Sequence, residues 1–219
     1  MVRENFEDKL QVLKEQVLKM SETVKASLSK SLIALEQQNV QQAQEVINGD
    51  KEINAIEDDI NDQAVWLIAK EQPVAKDLRR LVITLKVTND IERIGDLAVN
   101  IAKSVERIEN DQLPEEEKQQ ILTNASVVEK MIDLVEEAYI KEDVEKAFEI
   151  GRIDDQVDHQ HGDSIEKLLM YMTQHPNEIT AITQLAFISR YLERAADHVT
   201  NIAEGIIYLV KGKHVDLNA

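Results

Sequence analysis

The stretches ERIGDLAVNIA at residues 92–102 and ERAADHVTNIA at residues 193–203 each place a glutamate four residues before an aspartate. On an α-helix that spacing puts both carboxylates on one face, a turn apart. The offset 193 − 92 = 101 carries Glu92 to Glu193, Arg93 to Arg194, Asp96 to Asp197 and Asn100 to Asn201. A second polar pair precedes each phrase, Asp50 with Asn54 and then Asp154 with Asp158, at the offset 154 − 50 = 104. Carboxylates gathered closely repel and raise one another's pKa unless a cation neutralises them. Oxygen-only ligation suits magnesium, calcium, manganese or iron, with zinc a further candidate. The expected ligands are Asp154, Asp158, Glu193 and Asp197 in the second copy, and Asp50, Asn54, Glu92 and Asp96 in the first. Asn54 stands where the second copy has Asp158, which lowers the charge of the first site and weakens it. His159, His161 and His198 adjoin the second set and could add a nitrogen ligand, although a histidine beside an acidic face is more often solvated or hydrogen-bonded. Arg93 and Arg194 either orient the neighbouring carboxylates or meet an anion such as phosphate, and Asn100 and Asn201 complete the shared polar line.

For these pairs to meet, long helices must present them. Phe6, Leu10, Leu13, Val17, Met20, Val24, Leu28, Leu32 and Leu35 advance in steps of three and four, the stripe of a helix with one buried face. A second helix runs through Ile53, Ile56, Ile60 and Leu67 to a break at Pro73, with Gly49 expected to kink or cap the stretch before it. A third carries Leu78, Leu81, Leu85, Val87, Ile91, Ile94, Ala98, Ile101, Val105 and Ile108. The acidic segment ENDQLPEEEK, containing Pro114, reads as a linker, after which the plan recurs through Ile121 to Val135, Ile150 to Leu168 and Leu185 to Leu209. The expectation is an all-α fold of two tandem three-helix bundles related by internal duplication, residues 1–111 and 112–219. Relative to the apolar seams, the acids fall on an outer face. If the second and third helices of each bundle are antiparallel, each acidic pair faces the other across a groove.

Composition narrows the function. The 219 residues include 42 acidic and 25 basic side chains for a formal charge of −17, which repels phosphate backbones and anionic lipid and favours cations or basic protein surfaces. With 0 cysteines there is no disulfide framework or thiolate metal site, a pattern that fits a cytoplasmic protein. No apolar run approaches the roughly 20 residues of a membrane helix, so recruitment to a membrane is expected to go through partners. No Gly-rich phosphate loop, cysteine nucleophile or local Ser/His/Asp arrangement suggests an enzyme.

The segments RRLVITLKVTNDIERIGDLAVNIA and RYLERAADHVTNIAEG resemble the paired signatures of the PhoU family, and the tandem plan matches it over essentially the whole chain. The resemblance implies metal binding by Asp50/Asn54 with Glu92/Asp96 and by Asp154/Asp158 with Glu193/Asp197. Ala195-Ala196 departs from the usual Ile-Gly of the phrase. The resemblance further implies a non-enzymatic regulator of phosphate uptake that restrains phosphate-starvation signalling. Its implied partners are the ATP-binding subunit of a phosphate ABC transporter, a sensor histidine kinase and a second copy of itself as a homodimer. Two other readings compete. A metal-free acidic scaffold would use the same carboxylates to dock basic partners. A di-iron carboxylate protein would need inward-facing Glu-x-x-His, which the sequence lacks.

Overall fold

The computed structural model describes residues 2–108 and 113–218, with side chains from residue 6 onward. Its helices are α1 (Val2–Gln37), α2 (Val40–Glu71), α3 (Lys76–Arg107), α4 (Glu115–Lys141), α5 (Val144–Gln174) and α6 (Ile179–Lys211), with a 3₁₀ turn at Pro176–Glu178 before α6. This is an all-α fold of two tandem three-helix bundles, α1–α3 and α4–α6. The expected boundary between residues 111 and 112 lies outside the described residues.

The apolar stripes become one continuous core that runs through both bundles, from Leu13 and Met20 on α1 to Ile202 and Ile206 on α6. The duplication repeats burial as well as sequence: Ala43, Val46 and Ile53 of α2 are buried, as are Ala147, Ile150 and Val157 of α5. At Gly95 three helices converge, and an added Cβ would meet Ile53 and Val24 at 3.4 Å. The equivalent Ala196 is fully buried, so the second bundle accepts the methyl group that the first replaces with glycine.

The bundles lie side by side in opposite directions. In the α3–α6 seam, Asp90 meets His198 while Ile83 shares a groove with Tyr208, so the helices are antiparallel. On the other side, α1 and α4 are antiparallel too: Lys25 pairs with Asp133, Ser29 with Glu129, and Lys14 Nζ donates to the Ile140 carbonyl at 2.6 Å. A pseudo-twofold axis therefore relates the two copies.

Two readings of the sequence are corrected. Gly49 does not cap the stretch before it; α2 runs through it, and the break falls earlier, at Gln38 and Asn39. Gln38 turns the chain with φ 48°, and the Asn39 side chain caps α2 by accepting from the Gln42 amide at 3.1 Å. The same turn recurs 142 − 38 = 104 residues later, with Glu142 at φ 51° and Asp143 accepting from the amides of Glu145 and Lys146. Neither turn uses glycine, so glycine alone could not locate it. Leu78, expected in the third stripe, is 37% exposed because it lies in the first turn of α3.

Glu142 holds its left-handed conformation while accepting from Arg80 Nη2 at 2.9 Å and Lys76 Nζ at 2.8 Å. This clasp joins the α4–α5 turn of one bundle to the start of α3 in the other. Gln72, by contrast, ends α2 at φ 47° and is exposed. Gln72→Gly should stabilise the fold by about 1 kcal/mol, because glycine adopts this conformation without a Cβ clash. Urea denaturation checks this, with Ile101→Ala expected to cost about 2–5 kcal/mol as the core reference.

Candidate metal centre

Asp154 and Asp158 project from α5, and Glu193 and Asp197 from α6, toward one groove. Ligand oxygens of Asp158, Glu193 and Asp197 lie within 4.8 Å of one another, the only such group of three acidic or histidine side chains among the described residues. One turn from Asp158, Asp154 is 3% exposed, deeper than the outer face expected from the apolar seams. The reason is that Asp154 lies on the side of α5 packed against α6, where Thr200 and Asp197 of that helix face it.

Electrostatics follow from this placement. Burial pushes the Asp154 carboxyl up to about 7, helped by Asp197 and Asp158 and opposed by the Thr200 hydroxyl. Burial also raises Glu193, with Asp197 and Asp158 adding to the effect and Arg190 opposing it. Asp197 is raised first by burial and then by Asp158, against His198, Arg190 and Arg194. Glu193 Oε1 accepts from Arg190 Nη1 at 2.6 Å, while Glu193 Oε2 and Asp154 Oδ1 are buried without hydrogen-bond partners. Buried, unpaired carboxylate oxygens from facing helices suit a hard cation, which would satisfy both and lower all of these pKa values.

The first copy arranges its residues differently. Asn54 Nδ2 donates to Asp50 Oδ2 at 3.3 Å, so the amide partly occupies a neighbour that Asp158 leaves free in the second copy. Burial raises Glu92, with Asp96, Glu57 and Asp50 reinforcing the effect and Arg93 opposing it. Asp50 Oδ1, Asn54 Oδ1 and Glu92 Oε2 are buried without hydrogen-bond partners, but no three acids here come together as they do in the second copy.

The supporting residues divide. Arg93 pairs with Asp96 at 3.0 Å and Glu92 at 3.4 Å. In the second copy Arg190, not Arg194, reaches the glutamate, a residue the repeated phrase does not contain. Asn100 is half-buried on α3, whereas Asn201 is exposed and lines a groove with Lys86 and Tyr208 away from the acids. His159 is exposed, His161 Nδ1 lies 2.8 Å from Ser189 Oγ, and His198 Nδ1 faces Asp90 at 2.9 Å. Glu57, which adds to the field on Glu92, was missed; the offset 161 − 57 = 104 equates it with His161 and could have found it.

The sign of the pH dependence follows from Asp154. Its carboxyl rises from 3.8 to about 7 on folding, so the folded state binds the extra proton. Metal-free protein should therefore lose stability as pH rises from 3.8 to about 7, at a limiting slope of ~1.4 kcal/mol per pH unit, and lose no more from this group above that window. Asp154→Asn should melt higher than wild type at pH 8 after chelation, with the difference shrinking at pH 5; thermal denaturation at the two pH values checks this.

Comparison with known proteins places these features in context. The PhoU domain model matches residues 17–105 and again 121–206. The chain is 35% identical over 219 residues to a Clostridium acetobutylicum protein named phosphate-specific transport system accessory protein PhoU homolog, covering 100% of both chains. It is 32% identical to the Escherichia coli phosphate-specific transport system accessory protein PhoU, over 95% of this chain and 86% of that one. The crystal structure of PhoU from Pseudomonas aeruginosa superposes with a TM-score of 0.89 at 31% identity, covering 95% of this chain and 100% of the other. A phosphate transport system regulatory protein PhoU from Streptococcus pneumoniae gives 0.90 at 29% identity, covering 96% of this chain and 99% of the other.

Proposed function

The chain belongs to the PhoU family, and on that premise we propose that it is a non-enzymatic regulator of phosphate uptake. In this role it docks on the ATP-binding subunit of a phosphate ABC transporter, contacts a sensor histidine kinase and restrains phosphate-starvation signalling. The observation that carries the reading is the extent of the match: relatives named as phosphate-specific transport system accessory proteins align across both repeats. No described helix is long and apolar enough to cross a membrane, which is consistent with a cytoplasmic protein that reaches the membrane through these partners. Homodimer formation belongs to the same proposal.

Asp154, Asp158, Glu193 and Asp197 hold a metal ion in this reading, and Asp50, Asn54, Glu92 and Asp96 form a weaker second site. Iron, zinc, manganese, magnesium and calcium are the candidates, and a bound ion would supply charge neutralisation and a fixed spacing of α5 against α6. Arg190 and Arg93 then orient glutamate and aspartate oxygens rather than contact an anion. A second reading draws on those same ion pairs. Carboxylates that already accept guanidinium groups could dock basic residues of a partner without metal.

Elemental analysis of tag-free protein, wild type against Glu193→Ala/Asp197→Ala, should find metal in the first and little in the second. Equal, negligible metal in both would favour the docking reading. Calorimetric titration with the purified transporter ATP-binding subunit should show saturable binding, and its absence, together with absence of binding to the kinase's cytoplasmic portion, would overturn the regulatory proposal. Asp197→Ala separates the two uses of the groove: unchanged metal with lost partner binding identifies a docking face.

A further inference from the structure

Beyond α6 the chain turns back on its own bundle. Gly212 ends the helix at φ 67°, its amide donating to the Tyr208 carbonyl at 2.8 Å. His214 stacks on Tyr208 with ring centroids 4.1 Å apart, and Val215 and Leu217 pack against the core. The Leu217 amide donates to Glu204 Oε1 at 2.8 Å. Leu217 thereby lies directly over Gly151 in the N-terminal part of α5, where an added Cβ would come within 3.1 Å of the leucine Cβ.

The duplication explains why this arrangement is informative. The offset 151 − 47 = 104 equates Gly151 with Ile47, whose own side chain packs against the core of the first bundle. The offset 204 − 103 = 101 equates Glu204 with Lys103, which has no acceptor to offer a main-chain amide. Where the first bundle has an apolar side chain packed against its core and a lysine, the second has a space and an acceptor beside it. Glycine within a helix costs about 1 kcal/mol relative to alanine, so the hole is not a favourable helix choice in itself. Leu217 fills it from outside, as a knob enters a hole.

We propose that the Gly151 hole and the Glu204 carboxylate form a docking slot for an extended peptide segment carrying an apolar residue, a spacer and a leucine. Val215-Asp216-Leu217 of this chain occupies the slot, and a partner segment of the same pattern competes for it. The specificity is physical: the leucine replaces the side chain absent at position 151, and its amide, rather than its side chain, engages Glu204. The segment is held without regular secondary structure by one hydrogen bond to the bundle, a ring stack and two apolar side chains, so it opens at far lower cost than the helices. This inference is independent of the metal groove.

The test uses the full chain carrying Leu217→Asp, which vacates the slot, and a fluorescein-labelled synthetic peptide Lys-His-Val-Asp-Leu-Asn spanning residues 213–218. Fluorescence anisotropy should show saturable binding to this variant. Affinity should be at least about tenfold weaker for wild type, whose own segment competes, and for Gly151→Ile/Leu217→Asp, whose hole is filled as in the first bundle. Absence of saturable binding, or equal binding to all three chains, overturns the proposal. Circular dichroism confirms that each variant keeps its helices. Should Leu217→Asp fail to fold, amide exchange in Leu217→Ala decides: a position-217 amide that exchanges about tenfold faster than in wild type supports a releasable segment held by the leucine, and unchanged exchange overturns it.

Discussion

The antiparallel seam between α3 and α6 is the constraint on which the rest of the structure depends. Each of these helices is covered by neighbours from its own bundle and from the other, which explains why buried positions on α3 include Leu97 and Val99 as well as the stripe residues. With so little of their surface left open, the acids of the duplicated phrases emerge at the edges against α2 and α5, whereas His198 and Asn201 turn toward α3. Asp158, Glu193 and Asp197 converge at the α5 edge, where α5 and α6 pack together. Burial drives the upward pKa shifts of Glu193 and Asp197, with repulsion from neighbouring carboxylates adding to them.

Much of this was legible in the sequence. The stripes from Phe6 to Leu35 and from Leu185 to Leu209 identify their helices, because apolar spacing reports burial directly. The offsets of 101 and 104 residues also equate acidic pairs that share a position in each bundle. Less legible were features that depend on neighbouring elements. The turn at Gln38 and Asn39 has no glycine to mark it, and Gly49, which resembles a marker, is simply tolerated in an exposed stretch of helix. The depth of Asp154 and the intervention of Arg190 required knowing which helix lies across the groove.

Where the copies differ, the differences alter both the chemistry and the contour of the surface. Asn54 against Asp158 changes charge and supplies a local amide donor; Glu57 against His161 exchanges an acid for an imidazole; Ile47 against Gly151 exchanges a side chain for a space. All of these sit on the α2 and α5 helices, outside the α3–α6 seam. Substitutions at the edge can accumulate there without disturbing the packing that both copies share.

The pseudo-twofold arrangement has a consequence for recognition. An object whose outline repeats on half a turn has no intrinsic front or back, so a partner sensitive only to that outline would meet two equivalent poses and form a mixed population. Polarity must come from local detail, and here it resides in the unequal grooves and in the filled hole at Gly151. Duplication supplied a symmetric frame, and divergence gave it a direction.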